Sequence, residues 1–384
     1  MSRFRPSWQA LAALVLVIFV LLLGPLTKPE AEALANPTAT INYPYLGTGS
    51  LMIWLLVVGS LLAMFSLPRL FEATLLFVVA HLVAELLLTG IAGFEGSALT
   101  PYYMILAAAW LLAWRCVTVL SAFKPATQAL RVALRLVIPL IFGIWILIIW
   151  EAIVRGAGIP FILLPPPSVI GTTIVNSIPT LAADVNQTIF KSVVAGYIVG
   201  CGSGFVTAIL ADRVSFLRRG LLPIGNMVSA LPIIGVAPIM VMWFGFDWHS
   251  KAAVVAIMTF FPMLVNTVAG LAEAGHMERD LMRTYASNYT QTLIKLRLPA
   301  AAPFIFNALK INSTLALIGA IVAEFFGTPT VGMGFRISTA VGRMDIDMVW
   351  AEIAVAALVG SVFYGLIALA ERAATFWHPS VRGG

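Results

Sequence analysis

Charge is what this sequence is short of. Asp, Glu, Lys and Arg make up 10% of its 384 residues, against about 25% in ordinary soluble domains. With 60% of residues hydrophobic, the chain carries more apolar surface than a water-soluble globule of this length can hide. A soluble fold is therefore excluded, and lipid has to serve as the solvent. Cysteine is nearly absent: Cys116 and Cys201 are the two in the chain, and both lie in apolar runs. That excludes a disulfide framework, and both read as small packing residues. No Gly-Lys dipeptide occurs, which excludes the P-loop that cradles ATP phosphates. Energy for any work then has to come from a partner or an ion gradient. No catalytic triad, paired-carboxylate site or Cys/His metal spacing stands out, so no catalytic chemistry, metal or cofactor is expected in this chain.

What is present is a series of long apolar runs. A helix needs about 20 mostly apolar residues to cross the hydrocarbon core. Runs of that kind fall at 8–26, 51–67, 71–92, 102–121, 136–154, 188–211, 220–245, 252–272, 300–325 and 350–371. The expected fold is an all-α polytopic membrane protein of about ten transmembrane helices. The net charge of +6 sits in alternate connections: Arg69; Lys124, Arg131 and Arg135; Arg213, Arg218 and Arg219; Arg279, Arg283, Lys295 and Arg297. By the positive-inside rule, both termini are cytoplasmic, and Arg115 and Lys310 near inner span ends snorkel. Arg3, Arg5, the first apolar run and Ala33-Leu34-Ala35 have the parts of a signal peptide, but the run is nearly span-long and the Ala-Leu-Ala lies well beyond it. It reads as a retained anchor.

The chain divides at the basic linker of residues 122–135. Residues 1–135 hold about four spans and the linker; residues 136–384 hold about six spans with one unusual connection. That connection, 273–298, is charged yet keeps a helical pattern, with Leu281, Met282, Tyr285, Tyr289 and Leu293 recurring at spacings of one, three and four. It reads as a single amphipathic helix that Pro299 stops, opening the next span at a position where a missing N–H is harmless. Such a stripe either docks a partner or lies on the lipid interface.

Several residues carry two readings. Gly196, Gly200 and Gly204 form a small-x3-small stripe that lets helices approach closely. Asn266, Asn307, Asn312, Ser313 and Thr314 either line a solute path or bond helices together, and Asn307, Lys310 and Thr314 share a helical face. Glu324, like Glu151 and Glu352, lies near a span end and suits a gate or a structural bond. His81 and Glu85, four apart, either handle an ion or fix packing. Pro232, Pro238 and Pro262 are expected to kink or interrupt their helices.

The stretch Asp280-Leu-Met-Arg-Thr-Tyr-Ala286-Ser287, followed by Lys295-Leu-Arg-Leu-Pro299, resembles the cytoplasmic EAA loop of binding-protein-dependent ABC permeases. Asp280 takes the acidic place, Ala286 the glycine place, and Leu298-Pro299 the ending, while Leu281 and Met282 replace the two alanines. Leu-Pro-Pro-Pro-Ser at 164–168, the Gly-rich span from Gly196, Trp243-Phe244-Gly245 and Ala323-Glu324-Phe325-Phe326-Gly327 look like the nitrate/sulfonate/taurine-type branch. The likeness covers about residues 136–378. It implies an importer permease core at 136–384, a periplasmic or lipid-anchored solute-binding protein, a second permease copy, and separate cytoplasmic ATPases that bind ATP and Mg. It further implies that Asp280, Arg283, Tyr285, Ala286, Ser287, Leu298 and Pro299 couple the chain to the ATPase.

Overall fold

The computed structural model describes residues 6–27, 48–65, 67–125, 127–228, 232–327 and 330–377. Arg3, Arg5, Ala33-Leu34-Ala35 and most of the first polar loop lie outside the described residues. Among those described, the regular elements are helices. Seven are long and apolar enough to cross a membrane: α3 (Arg69–Ile91), α4 (Thr100–Ser121), α5 (Gln128–Ala157), α7 (Ile178–Arg213), α10 (Trp248–Ala272), α12 (Tyr289–Glu324) and α14 (Ile346–Ala374). Three shorter apolar helices are α1 (Trp8–Leu23), α2 (Thr48–Leu62) and α9 (Ile233–Phe244). Together they account for the ten apolar runs, and the all-α membrane fold is as expected. Helices α6 (Pro167–Asn176), α8 (Ser215–Val228), α11 (His276–Thr284) and α13 (Met333–Gly342) are not spans.

The run 220–245 is not one continuous span. Helix α8 ends at Val228 and α9 begins at Ile233 with Pro232 as its N-cap. Proline lacks the N–H an interior turn requires, so a helix start suits it.

Contacts divide the chain into two compact units, Met1–Ile170 and Gly171–Gly384. In the first, α4 packs against α1 and α3. Their shared core is built from residues spaced three and four apart: Ala10, Ala13, Val17 and Val20 on α1, and Leu76, Ala80, Val83 and Leu87 on α3. Small residues let the backbones approach, which replaces the hydrophobic drive that lipid does not supply. Arg115 pairs with Glu72, a buried carboxylate on the neighbouring helix, at 2.8 Å. Cys116 is free and buried, bonded to the Ala73 carbonyl. His81 Nδ1 donates to the Phe77 carbonyl at 2.7 Å. Helix α5 contributes Ile141, Trp145 and Ala152 to the same core. Near its end, Glu151 accepts from the Ser168 amide at 2.9 Å, from the Ser168 hydroxyl at 2.7 Å and from Arg155, which fixes the Leu-Pro-Pro-Pro-Ser segment.

In the second unit α10 is central, packed between α7 and α12. A Cβ at Gly196, Gly200 or Gly204 would run into the carbonyl oxygens of Ala252, Ala256 and Phe260. The stripe therefore seats α7 backbone to backbone on α10. Across the other face, Asn312 of α12 donates to the Thr259 carbonyl at 2.7 Å and to Cys201 Sγ at 3.2 Å, joining all three helices. Both α7 and α12 contain a wide π turn, at Asn186–Val193 and Leu293–Arg297.

Candidate functional site: a braced loop and a polar stripe

The connection between α10 and α12 is two helices, not the single one that the sequence pattern suggested. Helix α11 ends at Thr284, and the backbone turns at Ala286, whose φ is +51°. The Ser287 amide reaches back to the Met282 carbonyl at 3.0 Å and the Ala286 amide to the Arg283 carbonyl at 2.9 Å. This is the Schellman arrangement, which normally places glycine at its left-handed position. Asn288 then caps the next helix: its side chain accepts from the Gln291 amide at 2.8 Å, and Gln291 Oε1 accepts from the Asn288 amide at 3.0 Å. One helix stop and one start thus abut, and the turn geometry is fixed on both sides.

Pro299 does not stop the second helix, which runs unbroken from Tyr289 to Glu324. A proline ring ordinarily clashes with the carbonyl four residues earlier. Here that residue is Lys295, inside the π turn Leu293–Arg297. The wider turn makes room, a usual place for such a bulge.

The loop is braced from below. Asp212, at the end of α7, receives both terminal nitrogens of Arg297 at 2.7 Å and the Tyr289 hydroxyl at 3.0 Å. Arg297 also donates to the Leu271 carbonyl at 3.0 and 2.8 Å, capping the end of α10. Arg279 caps the adjacent Ala272 carbonyl at 2.7 Å, and the Arg213 guanidinium lies 5.6 Å over the Tyr289 ring. The Arg297–Asp212 pair is largely buried. The apolar stripe is divided accordingly. Leu293 is buried beneath the loop, whereas Met277, Leu281 and Tyr285 are 84%, 56% and 77% exposed. Asp280 and Arg283 form an exposed pair at 3.3 Å beside them. Ala286 is exposed, and Ser287, Leu298 and Pro299 are half-buried.

At the opposite end of α12, Glu324 is 1% exposed. It accepts from the Thr188 hydroxyl at 2.8 and 3.0 Å and from the Gly334 amide at 2.7 Å. Asp184 accepts from the Gly332 amide at 2.6 Å and from Arg336 at 2.8 Å. A side chain at Gly332 would run into the Glu324 carboxylate, and one at Gly334 into the Ile321 carbonyl and the Glu324 Cβ, so these amides reach the acids because no Cβ intervenes. Glu352 is also buried, facing Asp184 and Arg336.

The polar residues between these ends separate into two sets. Asn266 donates to the Pro262 carbonyl at 2.8 Å and Ser313 to the Lys310 carbonyl at 2.7 Å. With Asn312, these are spent on the fold. Asn307 and Thr314 are exposed, and with Ile311 and Ile318 they form one stripe along α12 at spacings of four, three and four. Lys310, between them in sequence, is paired with Glu371 at 2.7 Å.

Local pattern flagged the exposed loop residues and Glu324. It missed Asp212, Asp184, Thr188 and Arg336, which stand tens of residues away from their partners. The one sequence signal for Asp212 and Arg297 was an acid and a base, each at the end of an apolar run on the same side.

The described residues thus form a polytopic helical unit with an exposed, braced loop between two spans. Residues 196–376 match the model of the family described as binding-protein-dependent transport system inner membrane component. Among curated proteins, the chain is similar to a formylaminopyrimidine transport permease protein of Halalkalibacterium halodurans, 29% identical over 247 residues, covering 62% of this chain and 95% of that one. It is similar to a riboflavin transport system permease protein of Chloroflexus aurantiacus, 27% identical over 236 residues, covering 61% and 88%. A putative aliphatic sulfonates transport permease protein of Bacillus subtilis is 29% identical over 240 residues, covering 62% and 86%. The family match, together with the seven long apolar helices, indicates a multi-pass inner-membrane protein.

Proposed function

We propose that this chain is the membrane subunit of an ATP-driven importer of a small solute, working by alternating access as a homodimer on two separate ATPase subunits that bind ATP and Mg. A periplasmic or lipid-anchored binding protein delivers the solute, and both termini face the cytoplasm. The observation that carries this reading is the loop: Met277, Leu281, Tyr285 and the Asp280–Arg283 pair are presented to solvent on a turn braced by Asp212. Large apolar side chains held rigidly outward are costly unless a partner covers them.

Asp280, Arg283, Tyr285, Ala286 and Ser287 form the contact with the ATPase. Leu298 and Pro299, just beyond the π turn, pass its movement into α12. Asn307 and Thr314 line the solute path, while Asn266, Asn312, Ser313 and Glu324 hold its walls. Gly196, Gly200 and Gly204 fix the α7–α10 contact. Residues 136–384 supply the permease function, and residues 1–135 precede it.

The test is co-purification of the tagged chain in mild detergent with an ATPase assay on the eluate. The expected result is an associated nucleotide-hydrolysing subunit that Ala286→Arg removes. A chain that elutes alone and moves solute on a pH or sodium gradient would sink the proposal.

A further inference from the structure

The exposed stripe on α12 sits where short side chains cannot escape the bilayer. Asn307 is nine residues beyond Leu298, about 13 Å along the helix, and Thr314 is ten residues short of Glu324, about 15 Å. Neither can snorkel as Lys does, and among the described residues the Asn307 side-chain amide has no hydrogen-bond partner. Bare amide against hydrocarbon is costly, so this face meets something polar.

Its charge is equally informative. Among the described cations of this unit, Lys310 is paired with Glu371, Arg336 with Asp184 and Arg297 with Asp212, whereas Lys295, on α12 about 18 Å along the axis from Asn307, and Arg372, beside Glu371 in the last turn of α14, are exposed. Lys251 is 0% exposed and donates to the carbonyls of Phe246 and Asp247 at 2.6 and 3.3 Å. Lys191 and Arg343 are exposed. Lys191 lies one turn from Thr188, which bonds Glu324, and Arg343 follows the last residue of α13, so both are remote from Thr314. The acids Asp184, Glu324 and Glu371 are bonded in turn. The stripe therefore offers neutral hydrogen-bonding groups at Asn307 and Thr314, set between the apolar surfaces of Ile311 and Ile318.

We infer that the solute this face accommodates is uncharged, with hydrogen-bonding groups on a largely apolar body. The inference rests on the importer reading. A small anion meeting the stripe would give up hydration with no cation among the side chains of Asn307, Ile311, Thr314 and Ile318 to replace it, whereas anion routes are lined by Arg or Lys. A neutral solute gives up far less, and the alternation of amide, aliphatic and hydroxyl suits a molecule polar at its edges and apolar across its plane.

Thiol labelling tests this without knowing the solute. Asn307→Cys and Thr314→Cys are made in the full chain, purified with the ATPase it brings; Cys116 and Cys201 are buried and form the background. Each variant is reacted with a neutral methanethiosulfonate and with one bearing a sulfonate, in the nucleotide-free and ATP-bound states. Rates are corrected for reaction with a free thiol in water. The neutral reagent is expected to react about tenfold faster or more, with rates that change with nucleotide. An anionic reagent as fast as the neutral one overturns the inference while nucleotide-dependent rates keep the importer reading. Absence of labelling, or a disulfide-linked pair of chains, shows that a second copy covers the face and also overturns it. If no ATPase accompanies the chain and the rates ignore nucleotide, the importer reading itself fails.

Discussion

Asp212 and Arg297 are the hinge pins of the loop, and removing either should cost far more than removing an exposed pair. The contact is bidentate, with both N–O distances 2.7 Å, which sets the charge centres about 4 Å apart. At an effective dielectric near 20 the attraction is about 4 kcal/mol, part of which is offset by desolvation of the two ions. Asp212→Ala leaves the guanidinium largely buried with only the Leu271 carbonyl. Arg297→Met leaves the carboxylate with the Tyr289 hydroxyl and uncaps α10. Each single change should destabilise the chain by about 3–5 kcal/mol. The double change leaves no unpaired charge, so it should cost less than the sum by about 2–3 kcal/mol. Thermal or denaturant unfolding of the four proteins in the same detergent gives the cycle. Strict additivity, within about 0.5 kcal/mol, would mean that the pair does not brace the loop. By contrast, Asp280→Ala should change stability by less than about 1 kcal/mol, because its pair with Arg283 is exposed and screened.

Ala286 is strained at φ +51°, so Ala286→Gly should stabilise the loop by about 1 kcal/mol, seen as slower hydrogen exchange at residues 282–288; faster exchange would contradict the Schellman assignment. Gly200→Ala places a methyl against the Ala256 carbonyl and should cost about 1–3 kcal/mol or more, with a neutral outcome showing that α7 and α10 can separate at no cost. Glu324→Ala leaves the Thr188 hydroxyl and Gly334 amide unpaired in a buried site and should cost about 1–3 kcal/mol for each. Glu324→Gln retains an acceptor oxygen and should recover part of that loss in the same melts; if it is as damaging as alanine, charge and not hydrogen bonding governs the site.

The spans were legible because hydropathy reports the solvent a segment needs, and lipid requires long runs. Their partners were not. Glu324 stood out as an acid at a span end, but nothing local shows that Thr188 and the Gly334 amide converge on it. The pattern 273–298 showed helical period and hid its break, since the turn depends on Ala286 adopting a conformation typical of glycine. Pro299 misled for a related reason: its usual effect is cancelled by a π turn that has no sequence signature of its own. The shared face of Asn307, Lys310 and Thr314 was visible as spacing, but Glu371, which removes Lys310 from that face, lies 61 residues further on.

The unbroken run of α12 gives the proposed cycle a physical basis. A helix of 36 residues spans about 54 Å, enough to join the loop between α11 and α12 to the Glu324 network in one element. Its two ends are held differently. At Tyr289–Arg297 it is clamped to the ends of α7 and α10 by an ion pair and carbonyl caps. At Glu324 it is bonded to Thr188 in the π turn of α7 and to the Gly334 amide at the start of α13. Both ends therefore grip α7, while the glycine stripe seats the middle of α7 on α10. Displacement of the loop cannot be absorbed by local fraying, because the Schellman turn and the capping box fix the entry to α12. It has to tilt α7, α10 and α12 together or break the Glu324 bonds. A tilt moves the Asn307–Thr314 stripe as one face, which is what alternating access requires of a path wall.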